Sequence, residues 1–374
     1  MVGRRTPAAL SGREATIERG AVAAYRVPTD APEADGTLAW SSTTLVTVHI
    51  DAGGERGFGY TYAGRGTAAL LHERLLPLAQ RADPLDIPAL WATMAREVRN
   101  LGRPGVASTA ISALDAALWD LKAKLLGVSL ADLLGGARSR IPVYGSGGFT
   151  SYSDARLREQ LGAWAAQGLP DVKMKVGADP AQDPARVRAA RAAIGERCGL
   201  FVDANGAYTA KQALALAERF IECGVRWFEE PVSSDDLAGL HLVRGRAPAG
   251  MDVSAGEYGY DLPYFRRMLE AQAVDVLQAD ASRCGGISGF LAAAALADAH
   301  NLPLSSHCAP SLHAAACCAV PRAAHLEYFH DHVRIEKMLF DGFVEPRAGL
   351  LAPDRSRPGL GIELKARDAQ AFLL

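Results

Sequence analysis

From Ile141 onward, short apolar segments alternate with helical stretches, and this period constrains the fold more than any other feature of the chain. Strands are expected at Ile141 to Tyr144, Asp171 to Val176, Leu200 to Asp203, Arg226 to Glu229, Asp252 to Ala255, Val274 to Ala279, Leu304 to Ser306 and His325 to Tyr328. Eight strands with intervening helices in about 190 residues fit a closed, parallel α/β barrel with tight loops. A helix after the eighth strand is not evident.

The N-terminal third reads differently. Thr43 to Ile50 is β-branched and alternating, and the Gly-rich stretch Asp51 to Gly59 follows it, so an antiparallel meander is expected. Helical periodicity covers Gly66 to Arg81, Leu90 to Asn100 and Ala107 to Leu126. These segments make an α+β unit over residues 1 to 136, and the barrel is expected over 137 to 351. Past the Pro/Gly-rich Pro353 to Gly361, the tail can return to the N-terminal unit.

Charge narrows the partners. Lys+Arg 40 against Asp+Glu 42 gives a net charge of −2, and no basic run interleaves with aromatics, which argues against nucleic acid. Met1 to Glu14 lacks a secretory apolar stretch and no membrane-length apolar run occurs, so a cytoplasmic protein without a membrane partner is expected. The six cysteines have neither metal-site nor disulfide-framework spacing and read as reduced packing residues.

Functional side chains of a barrel sit at the C-terminal strand ends. There the sequence places Lys173 and Lys175, Asp203 and Asn205, Glu229 and Glu230, Glu257, Asp280, His307 and Glu327. One acid at a strand end is ordinarily an exposed side chain or a salt-bridge partner. Asp203, Glu229 and Glu257 at three successive strand ends instead suit a hard cation, and magnesium favours such oxygen ligands. Lys173 and Lys175, two apart, face the barrel interior together, and each ammonium is expected to lower the other's pKa. Asp280 and His307, on neighbouring strands, can form a hydrogen-bonded dyad that makes the imidazole a second acid/base. His300, His313, His330 and His332 read as ordinary packing or surface histidines.

This set suits removal of a proton alpha to a carboxylate, which builds a second negative charge and gives an enolate. A divalent cation, Lys173 and a protonated Glu327 are placed to meet that charge, and Lys175 or His307 can act as base from opposite faces.

The segments ASTAISALDAALWDLKAKLLG, VKMKVG, FVDANG, WFEEP, AGE, QADASRCGG, SSH and HLE, over residues 107 to 327, resemble in order and spacing the motifs of the mandelate racemase subgroup of the enolase superfamily. The resemblance implies a modified (β/α)7β TIM barrel with an N-terminal α+β capping domain completed by about residues 352 to 374. It implies Mg2+ held by Asp203, Glu229 and Glu257, with Glu230 not a primary ligand. Lys175 is then one base, Lys173 its neighbour and a substrate-carboxylate contact, Asp280 and His307 a dyad, and Glu327 a donor to the enolate. Asn205 becomes an auxiliary group near substrate or metal, and an even-numbered homo-oligomer, from dimer to octamer, is expected.

The implied substrate is a small carboxylate. Dehydration of an acid sugar to a 2-keto-3-deoxy acid is the leading expectation, with a racemase, epimerase or cycloisomerase of a hydroxy acid or lactone as the alternative. A Schiff-base barrel enzyme leaves the three carboxylates unexplained, and a non-catalytic binding protein would be expected to have lost part of the set. Specificity is expected in the capping loops Val27 to Trp40 and Phe58 to Gly64, where Arg26, Asp30, Asp35, Trp40 and Tyr60 are candidates for substrate binding.

Overall fold

The computed structural model describes residues 15 to 374; the N-terminal stretch Met1 to Glu14, and the reading made of it above, lie outside the described residues. Strands β1 (Arg19–Ala34), β2 (Ala39–Ala52) and β3 (Glu55–Tyr62) form an antiparallel meander in that order. β1 begins ahead of the strand expected from the sequence, because its polar–apolar mixture lacks a clean alternation. Its register with β2 shifts between Pro28 and Glu33, where proline cannot donate to the ladder.

The meander packs on helix Val106–Leu125, which is buried along most of its length. A Cβ on Gly59 would stand 2.1 Å from the Ala113 carbonyl oxygen and 2.5 Å from the Ala117 amide nitrogen, both rigid helix backbone. Gly59→Ala is therefore expected to push the sheet off the helix and cost ~3 kcal/mol, visible as a clearly lowered thermal transition. An unchanged transition would show that the sheet can slide without penalty.

The barrel strands are β4 (Ile141–Gly147), β5 (Asp171–Lys175), β6 (Gly199–Asp203), β7 (Val225–Glu229), β8 (Asp252–Ala255), β9 (Val276–Ala279), β10 (Leu304–Ser306) and β11 (Leu326–Phe329). They run parallel in the order β10-β9-β8-β7-β6-β5-β4-β11, and a bridge between Leu304 and Ala323 draws β10 to the start of β11. The eighth helix does exist, over His330–Leu339, and it serves the cap: its Glu336 accepts from Tyr60 and Tyr62 of β3. Its charged sequence, HDHVRIEKML, hides the apolar face that packing requires.

Two features dock the cap onto the barrel mouth. Gly36 lies so close to the ends of β5 and β6 that a Cβ would sit 2.5 Å from the Ala204 carbonyl oxygen and 2.7 Å from that of Val176. The segment after β9 is fastened to helix Val106–Leu125: Gly285 and Gly286 donate their amides to Ser112 Oγ at 2.9 and 3.0 Å, and Ser288 donates to Asp115. The chain end closes on the same unit, where the Leu374 amide donates to the Ala24 carbonyl at 2.9 Å. Among the described residues no helix is long and apolar enough to cross a membrane, and all six cysteines are free.

Candidate active site

Below the mouth, Tyr144, Phe201, Trp227 and Val276 fill the barrel as an apolar floor. Alternation along each strand then sends the next inward residues upward into a polar layer. Trp227 links the two layers by donating its indole N–H to Glu229 Oε2 at 2.9 Å.

The acids expected to hold a cation come together. Asp203, Glu229 and Glu257 are all buried and present carboxylate oxygens within 4.8 Å of one another. Glu257 Oε2 is buried without a hydrogen-bond partner. A hard cation satisfies such an orphaned oxygen and three crowded acids at once, so the donor set fits magnesium. Glu230, at a positive φ of 37°, is also buried with an unpartnered Oε1, and burial together with the charges of Glu257, Asp203 and Glu229 pushes its carboxyl well above the usual range. A cavity of about 630 Å³ borders Asn205 and Glu230 and is walled by Thr37, Tyr258, Tyr260 and Tyr264.

Both lysines point inward, but their mutual repulsion does not set their protonation. Lys173 Nζ lies 2.5 Å from Glu229 Oε1 and 2.9 Å from Glu327 Oε1; Lys175 Nζ lies 2.5 Å from Asp203 Oδ2 and 3.1 Å from Asn205 Oδ1. Burial works to lower both pKa values, yet the carboxylates outweigh it and hold both above the ordinary lysine value. The expected depression is thus corrected: the sequence shows that the lysines are neighbours but not how many acids surround them. Asp203 is in turn pulled down to about 2, with the two lysines overcoming its burial.

Asp280 Oδ2 lies 2.9 Å from His307 Nδ1. Burial of Asp280 is outweighed by that hydrogen bond and by the charges of His307 and Arg283, so it stays below the usual carboxylate range. The Nδ1 contact leaves Nε2 facing the site.

Glu327 is corrected as well. Its carboxyl, though buried, is held below the usual range by Lys173 and then His307, against the protonated donor expected, and it accepts the Cys308 amide at 2.8 Å.

The capping candidates separate. Trp40 packs edge-on against Phe149, ring centres 5.6 Å apart, in a cluster with Tyr152, Cys308 and Phe329 beside the mouth. Tyr60 is not available to a substrate: it is fully buried, donates to Glu336 at 2.8 Å and accepts the Leu312 amide at 3.1 Å. The segment read as a loop from Phe58 is β3, and the strand turns Tyr60 toward the helical layer. Asp30 pairs with His330 and Arg156, and Asp35 caps its own turn at Thr37 and Leu38.

Three neighbours escaped the sequence reading. Arg283, one turn beyond Asp280, lies 3.5 Å from Asp280 and 3.6 Å from Glu257; its i+3 spacing from a strand-end acid was the available signal. Cys308 sits directly after His307, with Sγ 3.3 Å from Nε2. Glu33 is buried under Trp40, whose indole N–H donates to it at 2.8 Å.

Burial and then the nearby Asp331 charge push Glu33 up to about 8, so the folded state holds a proton that the unfolded chain releases near the ordinary value of 4.5. Its stabilising contribution is complete below that value and is lost as pH rises toward 8. Opening of the Glu33 to Trp40 segment, followed by Trp40 fluorescence, is expected to increase by up to about tenfold per pH unit across this window. Glu33→Gln should flatten the response, and a variant as pH-dependent as the parent would exclude Glu33 as its source.

Similarity to known proteins identifies the lineage. Residues 21–135 match the mandelate racemase/muconate lactonizing enzyme N-terminal domain, and residues 156–369 match the enolase C-terminal domain-like family. A 3,6-anhydro-alpha-L-galactonate cycloisomerase of Streptomyces coelicolor is 34% identical over 93% of this chain and 97% of its own. The crystal structure of a mandelate racemase/muconate lactonizing enzyme-like protein from Rubrobacter xylanophilus superposes with a TM-score of 0.94 at 54% identity, covering 96% of this chain and 100% of that one. L-talarate dehydratase from Polaromonas, crystallised with Mg and L-glucarate, gives a TM-score of 0.88 at 30% identity over 96% of this chain and 98% of its own. The chain belongs to the mandelate racemase/muconate lactonizing enzyme family of the enolase superfamily.

Proposed function

We propose that the protein is a magnesium-dependent acid-sugar dehydratase that forms a 2-keto-3-deoxy acid. The observation that carries this reading is the pairing of Lys175 on β5 with the Asp280-held His307 on β10, two proton-transfer groups set on separate arcs of the barrel around one carboxylate triad.

Asp203, Glu229 and Glu257 would hold the cation, which when bound supplies Lewis-acid stabilisation of the charge building on the substrate carboxylate. Lys173, fixed between Glu229 and Glu327, offers its ammonium to that same charge. Lys175 takes the alpha proton. It can do so only when the Asp203 charge that holds its own proton is offset, so the base and the acids act together. His307 gives the Nε2 proton to the departing hydroxyl, Asp280 keeps the ring in place, and water leaves. The resulting enol becomes the keto acid.

A cycloisomerase uses the same first proton transfer and ring opening or closure in place of water loss; the Streptomyces coelicolor relative supports this second reading. An enzyme of lyase or isomerase type follows from either. An even-numbered homo-oligomer is also proposed, supported by the exposed apolar Leu101 and Val106 on the cap, and a reducing cytoplasm by the six free cysteines.

The test is a screen of mono- and diacid sugars and their lactones with Mg2+, scoring 2-keto acid formation beside solvent deuterium uptake at the alpha carbon. Keto acid is the expected product. Isomerised or deuterated substrate without keto acid would replace the dehydratase by the isomerase reading.

A further inference from the structure

We infer that His307, Cys308 and Glu327 form a second metal site, chemically distinct from the carboxylate triad, which takes a borderline-soft divalent ion such as Zn2+ and switches the enzyme off when filled. The three buried side chains offer a nitrogen, a sulfur and an oxygen within 4.8 Å of one another. Cys308 Sγ is 3.3 Å and Glu327 Oε2 is 3.9 Å from His307 Nε2. Ligand atoms around a tetrahedral zinc with ordinary bond lengths are about 3.3 to 3.6 Å apart, so the nitrogen and sulfur already stand at ligand spacing and the Glu327 oxygen has to close on them.

The surroundings are also those of a metal site. Asp280 holds Nδ1 and so aims the Nε2 lone pair at Cys308, the carboxylate–histidine support typical of bound zinc. The Cys308 amide orients Glu327 Oε2 at 2.8 Å. The carboxylate triad adjoins this point, with Glu257 Oε2 3.4 Å from His307 Nε2.

Sulfur and nitrogen donors favour zinc over magnesium, whereas the triad offers oxygen alone, so the two ions sort between the sites. Binding displaces the Cys308 thiol proton to solvent, and the thiolate and the Glu327 carboxylate balance the ion's charge. Nε2 then has no lone pair for a proton. The consequence for this fold is inhibition by zinc without loss of magnesium, whichever acid sugar is the substrate.

Co2+ added to Mg2+-saturated protein reports the site directly, because a thiolate ligand gives an intense near-ultraviolet charge-transfer band that an all-oxygen site cannot. The expected result is that band, removed by added Zn2+ and absent in Cys308→Ser. Zinc affinity by calorimetry should fall at least ~100-fold in Cys308→Ser and roughly 10- to 100-fold in Asp280→Asn. Far-ultraviolet circular dichroism checks folding, and Cys308→Ala replaces the serine variant if that one misfolds. No cobalt band in the wild type, or equal zinc affinity in the folded Cys308 variant, places the ion elsewhere and overturns the inference. Both readouts are independent of turnover, so they stand apart from the dehydratase proposal.

Discussion

Lys175→Ala is expected to lower alpha-proton exchange and product formation together by ~10³-fold or more, the range of a lost general base. His307→Asn should separate the two, with keto acid formation lost to a similar degree but exchange at the alpha carbon persisting. The asymmetry follows from position. Lys175 is anchored on Asp203 and Asn205 at the end of β5, whereas His307 is aimed from β10 by Asp280. The asparagine retains a polar group beside Asp280, so a gross structural change is not expected. Deuterium uptake and keto acid measured on both variants decide the matter. If Lys175→Ala exchanges normally, the base is misassigned; if His307→Asn loses exchange as well, His307 is the base that starts the reaction.

Chelation is expected to abolish turnover by at least ~10³-fold without unfolding the protein, and added Mg2+ should restore it. Three buried carboxylates left bare would ordinarily destabilise a core. Here Lys173 and Lys175 compensate them, with Nζ at 2.5 Å from Glu229 and from Asp203. The fold therefore tolerates the metal-free state, and Mg2+ should raise the thermal transition modestly, by the mass-action term alone. Glu257→Gln tests the same point from the protein side. Its oxygen is the unpartnered member of the triad, so its replacement should weaken Mg2+ binding by at least roughly tenfold with little loss of stability. Full activity in chelator, or collapse of the fold on metal removal, would contradict this account.

Coupling between the lysines and the acids gives the site its logic. Asp203, Glu257 and Glu229 keep Lys175 protonated, so under the proposed function the base is released only as their charge is offset. Such coupling also explains why isolated reasoning about two adjacent lysines points the wrong way: the repulsion between two ammonium groups is real, but four nearby acids outweigh it.

The period of apolar strands, the strand-end acids and the paired lysines were legible in the sequence, because strand alternation and the barrel's one-sided geometry fix where such side chains must point. Boundaries fell within a residue or two at β5, β8 and β10, and the Asp280–His307 contact followed from neighbouring strands. Less local features were not readable. Tyr60 is an aromatic on a polar-flanked segment, and only the docking of β3 against helix His330–Leu339 makes it a buried structural hydroxyl. Glu33 gives no sign in sequence that Trp40 and Asp331 will surround it. The protonation of Lys173, Lys175 and Glu327, and the meeting of the adjacent His307 and Cys308 with Glu327, depend on charges and donors brought in from different strands. A pattern along the chain specifies direction and periodicity; the field at a buried group is a sum over neighbours that only the closed barrel assembles.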